Sequence, residues 1–229
     1  MSALSPFVSV RPSPAAVRVA PFALFLGLLA LESLAAGRGA DLRWLAVLRP
    51  LLVAGLLAYL WKHYEELHAR PRMAKREWMV AIALGFAVFA AWIVFDHGWA
   101  AIGHGGAGFV ATMDDGRIDV TLALLRLAGF TLVVPVMEEL FWRSYVLRRI
   151  DARDFLSIDP RAASLTAVAL SCALFALEHS LWFAGLLAGI AYNACFMRSR
   201  NLWSPILSHA TTNGTLGIWI LATGHWRYW

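Results

Sequence analysis

The chain has 229 residues, 60% of them hydrophobic and only 15% charged, with a mean hydropathy of +0.62. Soluble domains run at about 45–50% apolar and ~25% charged, so a soluble globular domain, a disordered chain, a collagen, a coiled coil and a disulfide scaffold are all excluded. The net charge of +5 sits in short connections between apolar blocks, a topology pattern rather than a phosphate-binding face, so no nucleic acid is expected as a partner.

At roughly 20 residues per crossing the apolar blocks supply about seven transmembrane helices, which predicts an all-α, polytopic integral-membrane helical bundle surrounded by membrane lipids. Residues 1–18 read as a tail with Pro6, Pro12, Pro14, Arg11 and Arg18, and residues 19–229 as one membrane domain. The first block runs Val19 to Ala36 and is long for a secretory signal, so it reads as a retained helix. The second, Trp44 to Trp61, carries Arg49-Pro50 near its start, with Arg49 expected to snorkel. The third is Trp78 to Phe95. The fourth, Thr121 to Leu147, is long and carries Arg126, Glu138, Glu139 and Arg143. The fifth spans about Ala162 to His179, the sixth Leu181 to Met197, and the seventh begins at Ser204-Pro205 and ends by Thr223. Cys172 and Cys195 fall inside apolar blocks and read as small hydrophobes. Gly103 to Gly108 is not followed by Lys-Ser/Thr and reads as a flexible external loop, not a phosphate loop.

Loop charges orient these blocks. Lys62, Arg70, Arg72, Lys75 and Arg76 fall in one connection, Arg148, Arg149, Arg153 and Arg161 in another, and Arg198 and Arg200 before the last helix. Residues 96–120 hold only Arg117 beside Asp96, Asp114, Asp115 and Asp119. By the positive-inside rule the N-terminus is cytoplasmic and residues 225–229 are periplasmic, with a bacterial inner membrane as the expected location.

Ionisable groups at mid-membrane cost about 2.5–3.5 kcal/mol each on insertion scales, so those present are expected to pair, line a wet cavity or do chemistry. Glu139 and Arg143 lie four apart and share a helix face, predicting a structural ion pair that leaves Glu138, 100° around the helix, free. His209 and Asn213 repeat the spacing of four, as do Phe175 and His179. A carboxylate, two imidazoles and an amide from three helices could build a hydrolytic site without a Ser or Cys nucleophile. The carboxylate and one imidazole would hold and deprotonate a water, and the other imidazole and the amide would stabilise an oxyanion. Glu178 faces another way and reads as a capping or snorkelling group. His63, His68, His97, His104 and His225 read as solvated loop residues.

Glu138-Glu139-Leu140-Phe141-Trp142-Arg143 resembles an EExxxR motif, Phe175 to His179 an FxxxH motif, and His209 to Asn213 an HxxxN motif, preceded by Leu202-Trp203-Ser204-Pro205-Ile206. In this order they resemble the CAAX protease and bacteriocin-processing family of intramembrane peptidases, which includes the type II CAAX prenyl endopeptidases. The Phe141-Trp142 pair is similar to a subset accompanying exosortase sorting systems. The resemblance covers about residues 130–220 and implies a peptidase-like core over 120–222 acting on a hydrophobic or lipidated peptide near the cytoplasmic face. It implies Glu138 as the water-activating base with His179 as its partner, His209 and Asn213 as the oxyanion hole, and Glu139 with Arg143 as support. No cofactor is expected. One Glu with two His could ligate zinc, but the chain lacks HExxH and the glutamate mechanism without metal is the reading adopted.

Two other classes fit the same residues: a catalytically silent membrane scaffold or substrate-presenting partner, and a proton-coupled transporter, against which the absence of paired half-repeats argues. One geometric demand stands out. Glu138 is ten residues from Arg148, about 15 Å of helix, while His179 is eighteen from Arg161, about 27 Å. Their convergence requires a tilt, a later start to the fifth helix or a re-entrant segment, with Gly185 and Gly189 permitting close packing.

Overall fold

The computed structural model describes residues 12–37, 43–68, 73–102, 109–113 and 115–229. Residues 1–11 of the expected tail and the 103–108 loop lie outside the described residues. Among those described the chain is all-α, with one isolated bridge, Thr112 to Ile118, and no named strand. The helices are α1 Pro14–Ala36, α2 Leu45–Leu60, the short α3 Glu65–His68, α4 Lys75–Val94, α5 Val120–Arg149, α6 Leu165–Leu177, α7 Trp182–Ser199 and α8 Trp203–Thr223.

Four of these, α1, α2, α4 and α5, are long and apolar enough to cross a membrane. α6 is apolar but has only 13 residues. α7 and α8 have 18 and 21 residues and owe their lower hydropathy to Asn193, Ser204, Ser208, His209, Thr212 and Asn213, all of which face inward and are buried. Seven crossings were expected; four meet the length and composition of a span on their own, because α6 is short and α7 and α8 carry polar groups that they bury inside the bundle.

Helix starts follow local chemistry. Ser13 caps α1 by accepting from the Ala16 N–H, so the helix opens at Pro14, inside the segment expected as a tail. Ser164 does the same for α6 through the Ala167 N–H, and Asp151 accepts from the Ser164 N–H and hydroxyl, fixing the late start. α5 is one continuous run of 30 residues interrupted by two π-helical stretches, Gly129–Val133 and Leu140–Val146. Such wide turns concentrate at functional sites.

Two arginines read as surface groups prove to be interior. Arg18 is 1% exposed and pairs with Glu66 on α3, and its Nε also donates to the Ser144 hydroxyl at 3.1 Å. Arg49 does not snorkel: it is 7% exposed, 2.6 Å from Glu32 on α1, with its guanidinium 4.6 Å above the Phe25 ring. In both cases a partner on a neighbouring element makes burial cheaper than reaching for the interface.

Small residues set the helix spacing around the site. A Cβ on Gly85 of α4 would lie 2.5 Å from the Ser208 carbonyl oxygen and 2.6 Å from the Thr211 Cβ of α8. On α7, a Cβ at Gly189 would lie 3.2 Å from the Cys172 Cα of α6. Both helices therefore approach α8 and α6 more closely than any larger residue allows.

Candidate active site

α5, α6, α7 and α8 bring their polar side chains to one cavity of about 630 Å³. Glu138, His179, His209 and Asn213, drawn from separate stretches of the sequence, all line it, with Phe130, Val134, Phe175 and Tyr192 as apolar and aromatic walls. The short α6 explains how His179 reaches this depth. Counting from Leu165, His179 is about 21 Å along, and Glu138 is roughly 16 Å from Arg149, so the two depths differ by little. The later start of the fifth helix was among the ways sequence left for them to meet.

Glu139 is the hub of the charged residues. It is fully buried, its Oε2 lies 3.1 Å from the Arg143 Nε, and its Oε1 accepts from Arg143 Nη1 at 3.2 Å and from His209 Nδ1 at 2.8 Å. The expected pair of Glu139 and Arg143 is present even though a π stretch begins between them, because widening the turn keeps positions four apart adjacent. Arg143 is held further by the Phe175 ring at 4.4 Å and the Tyr192 ring at 5.1 Å, tying α5 to α6 and α7.

Glu138 is free, as its helix face implied. Its carboxylate is buried, and Oε2 has no hydrogen-bond partner among the described residues. Its nearest imidazole is His209, whose Nε2 lies 4.0 Å away. His179, expected as its partner, shares the cavity but makes no hydrogen bond or ion pair to Glu138 among the described residues. Its Nδ1 lies 2.8 Å from the Phe175 carbonyl oxygen. A carbonyl can only accept, so Nδ1 carries the hydrogen and Nε2 presents its lone pair. Trp92 and Phe175 stand against the ring at 5.3 and 4.7 Å.

His209 is oriented from both sides. Its ring stacks on Tyr192 at 4.8 Å with the planes 18° apart. The Tyr192 hydroxyl donates to Thr212 Oγ1 at 2.8 Å, and Thr212 donates to the Gly85 carbonyl at 2.9 Å. Asn213 Nδ2 donates to the Phe130 carbonyl at 2.9 Å, inside the first π stretch. That bond commits one amide hydrogen and leaves the second, with the carbonyl oxygen, to the cavity. Glu178 lies outside the cavity lining and accepts from the Trp142 indole at 3.0 Å, fastening the end of α6 to α5.

A glutamate and two imidazoles are a zinc-type donor set, but among the described residues no three His, Cys, Asp or Glu side chains converge where an ion could sit. The Nδ1 atoms of His209 and His179 are engaged by Glu139 and by the Phe175 carbonyl, which leaves the Nε2 atom of each ring without a bond to either.

Residues 120–215, which contain all three motifs, match the family model described as type II CAAX prenyl endopeptidase Rce1-like. The site-bearing segment is thus similar to that family. The family is one of proteases, and with four apolar helices of spanning length this makes the chain an integral membrane protein. No curated protein and no solved structure matches the chain.

The Rce1-like segment does not build the cavity alone. Trp92 comes from α4, and Asp96, His97, Ile102, Arg227 and Tyr228 line the mouth. Arg227 pairs with Asp96, and the Tyr228 hydroxyl donates to the same carboxylate. These bonds, with His97 beside them, hold the Asp96 carboxyl below its usual range. His97, read as a solvated loop residue, is largely exposed yet stands at this mouth. α4, α6 and α8 all end, and α7 begins, at the mouth end, whereas the basic connections join helices at the other end. The cavity therefore opens at the end of the bundle opposite the basic connections.

Proposed function

We propose that the protein is an intramembrane endopeptidase that hydrolyses a peptide bond in a membrane-associated or lipidated substrate, using a water activated by Glu138. The observation that carries this reading is the Glu138 carboxylate itself, buried at the wall of a cavity, with one oxygen that has no hydrogen-bond partner among the described residues and an imidazole nitrogen 4.0 Å away. An unpaired carboxylate in a membrane interior is costly and persists where it has chemistry to do.

In this mechanism Glu138 and the His179 Nε2 lone pair are two acceptors for the hydrogens of one water. As the water oxygen attacks the carbonyl carbon, Glu138 takes its proton. Charge then develops on the substrate oxygen, to which the second amide hydrogen of Asn213 and the Nε2–H of a charged His209 donate. Glu139 orients His209 through Nδ1 and offsets its charge. Collapse of the tetrahedral intermediate breaks the C–N bond, and Glu138 returns its proton to the departing amine nitrogen.

The test is cleavage of a hydrophobic peptide and its lipidated counterpart by purified protein in detergent, with products identified by mass spectrometry. Glu138→Ala and His179→Ala should each abolish the product. Cleavage by both variants at the wild-type rate would end the proposal.

A further inference from the structure

The cavity has a deep end and a mouth, and they are chemically unlike. Glu138 and His209 lie at the deep end, where the bonds among Glu139, Arg143, Tyr192 and Thr212 close it toward the basic loops. The mouth is formed by Asp96 to Ile102 after α4, by Ser180 and Leu181 between α6 and α7, and by Arg227 and Tyr228 after α8. No residue of the connections at the other end of the bundle lines it. The mouth is cross-braced: the Ile102 N–H donates to the Ser180 carbonyl at 2.7 Å, the Trp182 indole donates to the Trp99 carbonyl at 2.8 Å, and Arg227 and Tyr228 both hold Asp96.

The two ends differ in charge. The connections 61–76, 149–164 and 198–202 carry ten Lys and Arg, whereas 37–44, 95–119 and 224–229, at the mouth end, carry four. Basic residues in short connections mark the cytoplasmic side. The exposed Trp99, two-thirds accessible and set edge-to-face against Trp182 and Phe183, puts aromatic rings of the interfacial type at the mouth.

We infer that the substrate reaches the site from the extracytoplasmic face of the membrane, through the end of the cavity ringed by Asp96–Ile102, Ser180–Leu181 and Arg227–Tyr228, and is therefore a membrane-anchored polypeptide whose scissile bond lies at or just beneath that face. The substrate half of the inference rests on the peptidase reading; the route of access does not. A cavity of about 630 Å³ is in the range that takes a ligand of drug size or a short peptide stretch. Its walls are apolar, and its polar groups are confined to the deep end and the rim. An extended segment would thus cross the rim before its backbone carbonyl meets Asn213 and His209. A polypeptide presented from the basic end would have to part the Glu139–Arg143–His209 bonds to reach the same carbonyl position.

The experiment is thiol labelling of the full chain in sealed vesicles of both orientations, prepared from bacterial cells, with a membrane-impermeant maleimide. The native Cys172 and Cys195 are buried and set a low background. Leu181→Cys reports the cavity mouth, Ile102→Cys repeats it should the first variant misfold, and Ser157→Cys, exposed in the 150–164 connection, reports the basic end. The mouth cysteines should label at least tenfold faster in right-side-out vesicles, and Ser157→Cys at least tenfold faster in everted ones. Labelling of the mouth cysteines from the same surface as Ser157→Cys would overturn the inference, as would labelling of Ser157→Cys in right-side-out vesicles. Labelling needs no cleavage, so an inactive protein with an outward-opening mouth would refute the peptidase reading alone.

Discussion

Glu138 and Glu139 are neighbours in sequence, yet removing their charges should have opposite effects on stability. Glu139 is fully buried and bonded to both Arg143 and His209, and Arg143 is itself 1% exposed. Glu139→Gln leaves a buried guanidinium without its counter-charge. Breaking a buried pair from one side costs about 3–5 kcal/mol, which for a chain of this size lowers the thermal midpoint by roughly 6–20 °C. Glu138 has a carboxylate oxygen without a partner, so Glu138→Gln removes a desolvated charge and breaks no hydrogen bond. Its midpoint should equal or exceed that of the wild type. Unfolding in detergent is read by a thiol-reactive dye, because Cys172 and Cys195 are the protein's two cysteines and both are buried. The reasoning is refuted if Glu139→Gln melts with the wild type while Glu138→Gln melts well below it.

Other expectations follow from single contacts. Tyr192→Phe loses the hydroxyl bond to Thr212 but keeps the ring stacked on His209, so it should cost about 1 kcal/mol and retain most of the cleavage rate, whereas Tyr192→Ala should lose activity at the same protein level; steady-state kinetics decides. Gly85→Ala places a methyl 2.5 Å from the Ser208 carbonyl oxygen, and the overpacking should cost roughly 1–3 kcal/mol, seen as a lower melting midpoint. The Asp96 carboxyl is held below its usual range by Tyr228, His97 and Arg227. A depressed carboxylate contributes stability that is present above its unfolded value of about 4 and is lost as pH falls through the folded value. Amide exchange at Trp226–Trp229 should therefore be flat in its protection from neutral pH down to about pH 4 and lose protection below it.

What was legible in sequence was local. The Glu139–Arg143 pair needs only four residues of helix, and the free face of Glu138 follows from the same geometry. The bond from His209 to Glu139 spans 70 positions, and no periodicity reveals it, so Glu139 read as mere support when it orients an imidazole. His179 was expected beside Glu138 because both motifs are polar islands in apolar helices; only the packing of α6 and α8 decides which ring comes nearer. The uniform apolar run from Ala162 hid the start of α6 at Leu165, although Ser164 carried a cap signal. Arg18 read as a tail residue and Arg49 as a snorkelling one because sequence shows a charge without its partner. The mouth depends on contacts between Asp96 and residues more than 130 positions away, which leave no trace in composition or spacing.

The account stands on Glu138 and His179 acting on one water, and kinetic coupling between them tests that directly. Glu138→Gln, His179→Ala and the double variant are compared by kcat/KM on the same peptide, each at a confirmed melting midpoint. Residues that act as a unit are strongly non-additive, so the double variant should lose about as much as the worse single one. Losses that multiply, or single variants that cleave as the wild type does, would place the two side chains in separate tasks and contradict the account.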